Sequence, residues 1–227
     1  MNLERMPSLT ARAAVFGALG DPHRLAIVET LALSDRAPSE LSATLGIDSN
    51  LLAHHLKVLE DVGLVERFVS DGDRRRRYVR LRTASAAGLV EPEQVTAANV
   101  VFVCTRNSAR SQLAAALWNR SHAVPATSAG THPAGRVHPA AVQAGAAVGV
   151  DLREAVPRDI EDLGVEPDLV ITVCDRAHEE LGDSRWRQLH WSLPDPARDG
   201  RRRAFDSTVR GLLRRMSAVG PAVRPAV

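Results

Sequence analysis

Residues 101–111 read Val-Phe-Val-Cys-Thr-Arg-Asn-Ser-Ala-Arg-Ser, VFVCTRNSARS. An apolar, β-rich run ends in Cys104, small and polar residues follow, and Arg110 and Ser111 precede a helical pattern. A loop that joins a strand to a helix N-terminus gathers backbone N–H groups and the positive end of the helix dipole, which makes a cradle for an oxyanion. The same field favours a thiolate, the nucleophilic form of cysteine. Arg110 adds a forked, permanently charged donor. Ser111 can donate to the thiolate, and Asn107 tolerates the left-handed backbone that such a loop needs. Thr105, Arg106, Asn107, Ser108, Ala109 and Ser111 are thus the expected oxyanion loop around Cys104 and Arg110. Taken alone, the motif suits phosphate and arsenate equally.

Working outward, NVVFVC (99–104) reads as a buried parallel-type strand and SARSQLAAALWNRSH (108–122) as a helix with Leu113, Leu117 and Trp118 inward. HPAAVQAGAAVGVDL (138–152) is a further helix, and PDLVITVC (167–174) a second buried strand ending in the other cysteine, Cys174. RQLHWSLPDPA (187–197) holds a short strand and a loop with Asp195-Pro196, and RRRAFDSTVRGLLRRM (201–216) closes with Phe205, Val209, Leu212 and Leu213 inward. Strands alternating with helices imply a parallel sheet covered on both faces, with ligands bound beyond the carboxyl ends of the strands. Cys104, Cys174 and Asp195 all fall at such ends. His122, His132, His138, His178 and His190 are scattered without metal-ligand spacing.

The residues ahead of this unit follow a different pattern. Ser8 or Thr10 caps a helix to about Leu19, and Asp21-Pro22 opens a second to about Leu33. A third starts at Pro38 and closes at Gly46, and Asp48 or Ser49 caps a fourth over Ser49–Val62, with Leu52, Leu56 and Leu59 at helical spacing. LVERFV and RYVRLR are two strands around the turn signal Asp71-Gly72. Helix, turn, helix and an arginine-rich hairpin make a winged helix-turn-helix, in which a recognition helix enters the major groove and wing residues meet phosphates. The expected DNA contacts are Ser49, Asn50, His54, Lys57, Arg75, Arg77 and Arg80. His54 and His55 project about 100° apart on a helix and are not read as a ligand pair. No metal site is expected.

The segment GLVEPEQVTA (88–97) has the composition of a linker. The expected organisation is a mainly α winged helix-turn-helix domain over 1–87, that linker, and an α/β domain with a parallel four-stranded sheet over 98–227. The tail from Gly220 is expected to fray. A length of 227 residues accommodates two such cores. The net charge of +2 is too small to argue for nucleic acid by itself, but Arg74, Arg75, Arg76, Arg77, Arg80 and Arg82 crowd one segment. Two cysteines make no disulfide framework. No run approaches a membrane span and the N-terminus lacks an apolar signal core, so a cytoplasmic location and no membrane partner are expected.

Two resemblances sharpen the reading. LGDPHRLAIVETL and HHLKVLEDVGLVERFVSDGDRRRRYVRL resemble the ArsR/SmtB-type winged-helix repressors, which implies a homodimer on operator DNA. Members that sense arsenite through the helix before the recognition helix use cysteines there, and this half has none. VFVCTRNSARSQLAAAL, SAGTHPAGRVHPAAVQAGAAVGVDL, DLVITVCD and LHWSLPDPA resemble the low-molecular-weight tyrosine phosphatase fold, more narrowly its arsenate reductase branch. That likeness implies Cys104 as nucleophile, Arg110 and the loop amides as oxyanion holders, Asp195 as general acid and Cys174 as the resolving thiol. It implies no bound cofactor and an external thiol reductant: thioredoxin, mycothiol or glutathione. A third cysteine of the thioredoxin-linked members is missing from CDRAHEELGD (174–183), and Arg106 is a bulky cation in the loop. Phosphatases of the fold tend to carry an aromatic residue after Asp-Pro, where this chain has Ala197. The expected function is a thiol-dependent arsenate reductase fused to a DNA-binding regulator. The alternatives are a phosphomonoesterase of the tyrosine phosphatase type and a non-catalytic transcription factor that senses an oxyanion or redox state.

Overall fold

The computed structural model describes residues 9–82, 88–90 and 92–226. The expected cap at Ser8, the end of the first domain at 83–87 and Glu91 of the expected linker lie outside them. The chain divides into two compact units, one built from residues up to Val69 together with Arg77–Glu93, the other from Ser70–Arg76 together with the chain from Gln94 onward.

The first unit holds α1 (Leu9–Leu19), α2 (Pro22–Leu33), α3 (Pro38–Leu45), α4 (Ser49–Asp61), β1 (Val65–Val69) and β2 (Arg77–Leu81). Asp21 caps α2, its Oδ1 accepting from the amides of His23 and Arg24 at 2.9 and 3.1 Å. Glu40 accepts from the Ala37 amide at the start of α3. Gly46 ends that helix at φ 63°, a left-handed conformation that favours glycine. Asp48, not Ser49, caps α4 through the Asn50 amide. Ile27, Leu31, Leu41, Leu52, Leu56, Leu59 and Leu64 pack into one core with Val79. The strands pair antiparallel, with Val65 opposite Leu81 and Val69 opposite Arg77.

The second unit is a four-stranded sheet in the order β5-β4-β6-β7, with every pairing parallel. Its strands are β4 (Val100–Cys104), β5 (Ala126–Gly130), β6 (Leu169–Thr172) and β7 (Gln188–His190). The helices are α5 (Arg110–Trp118), α6 (Pro139–Ala147), α7 (Asp175–Leu181), α8 (Pro196–Asp199) and α9 (Arg202–Val219). Phe102 stands between two buried indoles, 5.6 Å from Trp118 and 5.7 Å from Trp191 between centroids. Each such tilted or edge-on pair adds about 1 kcal/mol beyond the area it buries.

Four expectations change here. Val95–Ala97 of the expected linker form a strand, β3, which pairs parallel with β8 (Val223–Pro225). Residues 223–226 are therefore held rather than frayed, the Ala226 amide donating to the Ala97 carbonyl at 3.1 Å. α6 stops at Ala147, short of Leu152, because Gly149 turns the chain at φ 77°. Leu213 is 44% exposed while Phe205, Val209 and Leu212 are buried, since a position adjacent to Leu212 rotates about 100° away from the sheet.

Candidate functional site

The carboxyl end of β4 runs straight into the anion loop and α5, so the strand's hydrogen bonds fix where Cys104 stands. Cys104 is buried, and its Sγ lies 3.1 Å from Ser111 Oγ. Asn107 adopts φ 45° among the described non-glycine residues. Its side chain explains how that conformation is held. Oδ1 accepts from the Arg158 amide at 2.9 Å and from Gln112 Nε2 at 3.1 Å, while Nδ2 donates to Ser111 Oγ at 2.8 Å. With Asn107 supplying one proton to that hydroxyl, the hydroxyl's own proton is free to face the sulfur, and a donor there stabilises a thiolate.

The loop's carbonyls are also committed. Thr105, Arg106 and Ser108 accept from the amides of His132, Ala134 and His138 at 2.8, 2.9 and 2.8 Å. Close approach of β5 makes this possible: a Cβ on Gly130 would stand 2.8 Å from the Thr105 carbonyl and 3.0 Å from Asn107. Carbonyls turned into the protein leave the loop's N–H groups, apart from that of Thr105, which donates to Cys174 Sγ, as the polar edge available to an anion.

Arg110 is buried, donates to the Leu193 carbonyl at 3.0 Å and reaches Asp195 Oδ1 at 3.4 Å. Burial opposes its charge, but the sulfurs of Cys174 and Cys104 and the carboxylate of Asp195 more than offset that and hold its affinity for the proton above the ordinary value. Asp195 caps α8, accepting from the Ala197 amide at 3.2 Å, and is partly exposed. Thr105, Arg106, Arg110, Cys174 and Asp195 line one pocket, joined by Arg176 and Arg198. Asp175 and Asp71 complete the lining, so the pocket is polar, with four arginines against three carboxylates and no aromatic side chain among the described lining residues.

Cys174 follows β6 and caps α7. Its Sγ accepts from the amides of Thr105 at 3.3 Å and Ala177 at 3.4 Å, and lies 3.4 Å from Thr105 Oγ1. Burial pushes this thiol up, with Arg110 pulling the other way. Thr105 is thus the covalent neighbour of one cysteine and the hydrogen-bond neighbour of the other. Both cysteines are free thiols.

One buried arrangement had no strong sequence signal. His190 Nε2 lies 3.1 Å from Asp175 Oδ1, its Nδ1 lies 2.9 Å from Thr172 Oγ1, and the His178 ring stacks on it at 4.2 Å. Burial raises the Asp175 carboxyl, but its hydrogen bond to His190 dominates with the other partners, and the net shift is downward. The clue was position: Asp175 adjoins Cys174, and His190 ends β7. Spacing along the chain did not bring them together; strand order did.

In the first unit, Ser49, Asn50, His54 and Lys57 are exposed on α4, with Lys57 paired to Asp61 at 2.5 Å. Arg77 is exposed at the start of β2. Arg75 is held by Asp73 at 2.9 Å, and that pairing brings the Asp73 carboxyl down to about 2. Arg80 departs from expectation. It reaches Asp35, which is fully buried, at 3.1 Å and lies over the Phe68 ring at 4.4 Å. A buried carboxylate needs a cation, so Arg80 also has a structural role, holding the hairpin to Asp35.

Residues 99–220 match the family model for the low molecular weight phosphotyrosine protein phosphatases, and residues 19–67 match a helix-turn-helix domain. An arsenate reductase of Brevibacillus brevis is 35% identical over 104 residues, 43% of this chain and 76% of that relative. A glutaredoxin arsenate reductase of Synechocystis is 33% identical over 117 residues, 49% of this chain and 87% of that one. A tyrosine phosphatase structure from Erwinia amylovora has the same fold at a TM-score of 0.50 and 20% identity, over 56% of this chain and 93% of that chain. With the match extending over more than half its length, the chain belongs to the low molecular weight phosphotyrosine protein phosphatase family and carries a helix-turn-helix domain ahead of that fold.

Proposed function

We propose that the protein is a thiol-dependent arsenate reductase joined to a DNA-binding regulator of the arsenic response. The observation that carries the enzymatic reading is that Thr105, which follows Cys104, donates to Cys174 Sγ at 3.3 Å beside an arginine-rich pocket with no aromatic side chain among its described lining residues. A phosphatase needs one nucleophilic cysteine; reduction needs a second thiol within reach of the first. The curated relatives that are 35% and 33% identical are arsenate reductases, which supports the same choice.

The chemistry balances with the residues present. The Cys104 thiolate attacks As(V) held by the loop N–H groups and Arg110. Asp195 donates a proton to the departing hydroxide, which leaves as water. Cys174, as thiolate, then attacks Cys104 Sγ. The S–As bond breaks with its electron pair staying on arsenic, so As(V) becomes As(III) and leaves as arsenite while a Cys104–Cys174 disulfide forms. An external thiol, thioredoxin or a small thiol such as mycothiol or glutathione, returns the disulfide to two thiols.

The domain over 1–87 is the DNA-binding part, acting as a homodimer in the cytoplasm, with Ser49, Asn50, His54 and Lys57 on α4 toward base edges and Arg75 and Arg77 toward phosphates. Among the described residues no helix is long and apolar enough to cross a membrane. The test of the enzymatic reading is arsenite formation from arsenate with thioredoxin or a low-molecular-weight thiol. Cleavage of an aryl phosphate without arsenite formation would favour the phosphatase. For the regulator, a gel shift on the protein's own promoter should weaken steeply with salt; no shift at low salt would refute it.

A further inference from the structure

The first unit contains a cluster that neither the enzymatic chemistry nor the DNA contacts use. Asp21 caps α2, His23 is in that helix's first turn, and His55 reaches them from α4. A carboxylate oxygen of Asp21 and one ring nitrogen from each histidine lie within 4.8 Å of one another. In detail, the Nδ1 atoms of His23 and His55 stand 3.8 and 3.9 Å from the same oxygen, Asp21 Oδ1, and the two rings stack at 5.2 Å.

A second observation points to a ligand. His55 is 4% exposed, and neither of its ring nitrogens has a hydrogen-bond partner. A buried imidazole ordinarily satisfies at least one nitrogen, because leaving it unmade costs the desolvation of that group. Here Nδ1 instead faces a carboxylate oxygen at a distance too long for a hydrogen bond and suited to an atom in between. The Arg24 guanidinium, the nearest cation, approaches the other oxygen, Oδ2, at 3.8 Å and is engaged by the carbonyls of Ala18 and Gly17.

We infer that Asp21, His23 and His55 form a binding site for a divalent first-row transition ion of the zinc class. Two imidazoles and one carboxylate are the ligand set such ions favour, at about 2.0–2.2 Å each. Tetrahedral ligands at that radius stand about 3.4 Å apart, so the two sides that meet at Asp21 Oδ1, 3.8 and 3.9 Å, close by a few tenths of an ångström. His23 and Asp21, whose side chains are both partly exposed, supply that movement, and water takes the remaining position. The ion would tie the first turn of α2 to α4, the helix that the regulator reading aims at DNA.

The test uses full-length protein in which both cysteines are replaced, Cys104→Ser with Cys174→Ser, so that no thiolate competes. Cobalt(II) is titrated and its visible d–d bands recorded, followed by competition with zinc(II). His23→Gln alters an exposed side chain, and Asp21→Asn keeps the helix cap because asparagine caps as well as aspartate. The expected result is one ion per chain, displaced by zinc, with affinity falling about tenfold or more in each variant while the helical circular dichroism is unchanged. Absence of the bands in the parent, or equal affinity in parent and both variants, would overturn the site. Neither readout involves DNA or arsenate, so failure here leaves the functional reading standing, and the reverse holds too.

Discussion

The carboxyl ends of β4 and β6 each carry a buried cysteine, and the two thiols are prepared differently. Cys104 sits at the start of the anion loop with a hydroxyl at 3.1 Å, itself fed by the Asn107 amide. Cys174 sits at a helix cap, receives two backbone amides, and is pushed up by burial. In the proposed reaction the loop thiol attacks the oxyanion and the cap thiol, whose ionisation burial opposes, acts second. A single cysteine could not serve both needs, because the sulfur bonded to arsenic is the atom attacked in the second step and a different sulfur must attack it.

The largest effect that would break this comparison is Cys104→Ser. Arsenite formation should fall by at least about a thousandfold, as for other lost nucleophiles, and no thiol–arsenic adduct should form. Cys174→Ser should leave adduct formation intact and remove turnover with thioredoxin. Retention of full turnover with a small thiol would show that the external thiol resolves the adduct in place of Cys174. Arg110→Lys keeps a charge but loses the fork that binds Leu193 and faces Asp195, and kcat should drop by about a hundredfold.

Asp175 lies next to the second thiol and tests whether that cap is prepared by the buried pair with His190. Its folded-state carboxyl is held below the ordinary aspartate value of 3.8, so the stability it contributes is present above that value and is lost as pH falls through the lowered folded value. Asp175→Asn should flatten that acid limb in urea unfolding and cost about 1–3 kcal/mol at neutral pH, where His190 loses its charged partner. The smallest effect concerns the other unit. Arg80→Ala should lower stability by about 2 kcal/mol, reduced from a fully buried pair because Arg80 is partly exposed. At matched folded fraction it should leave DNA affinity nearly unchanged, whereas Arg77→Ala should weaken binding and reduce the salt slope by about one.

The anion loop was legible because strand, cysteine, arginine and helix follow one another along the chain, and local order there is spatial order. The helices of the first unit were legible for the same reason, their caps at Asp21 and Asp48 and their stop at Gly46 being local. β5, ATSAG (126–130), was not: it has no β-branched or aromatic run, and it becomes a strand because Gly130 lets it approach the anion loop. The tail was misread because parallel pairing with β3 is a contact across more than 120 residues. Arg80 and Arg77 are three residues apart in one basic run. Only the position of buried Asp35, remote in sequence, separates the structural arginine from the exposed one.

The most direct test is a single turnover. Reduced protein is mixed with one equivalent of arsenate and no external thiol, and both arsenite and the peptide map are measured. One arsenite should be released per chain, with a disulfide joining Cys104 to Cys174. Arsenite absent with both thiols still free would contradict the proposed reaction.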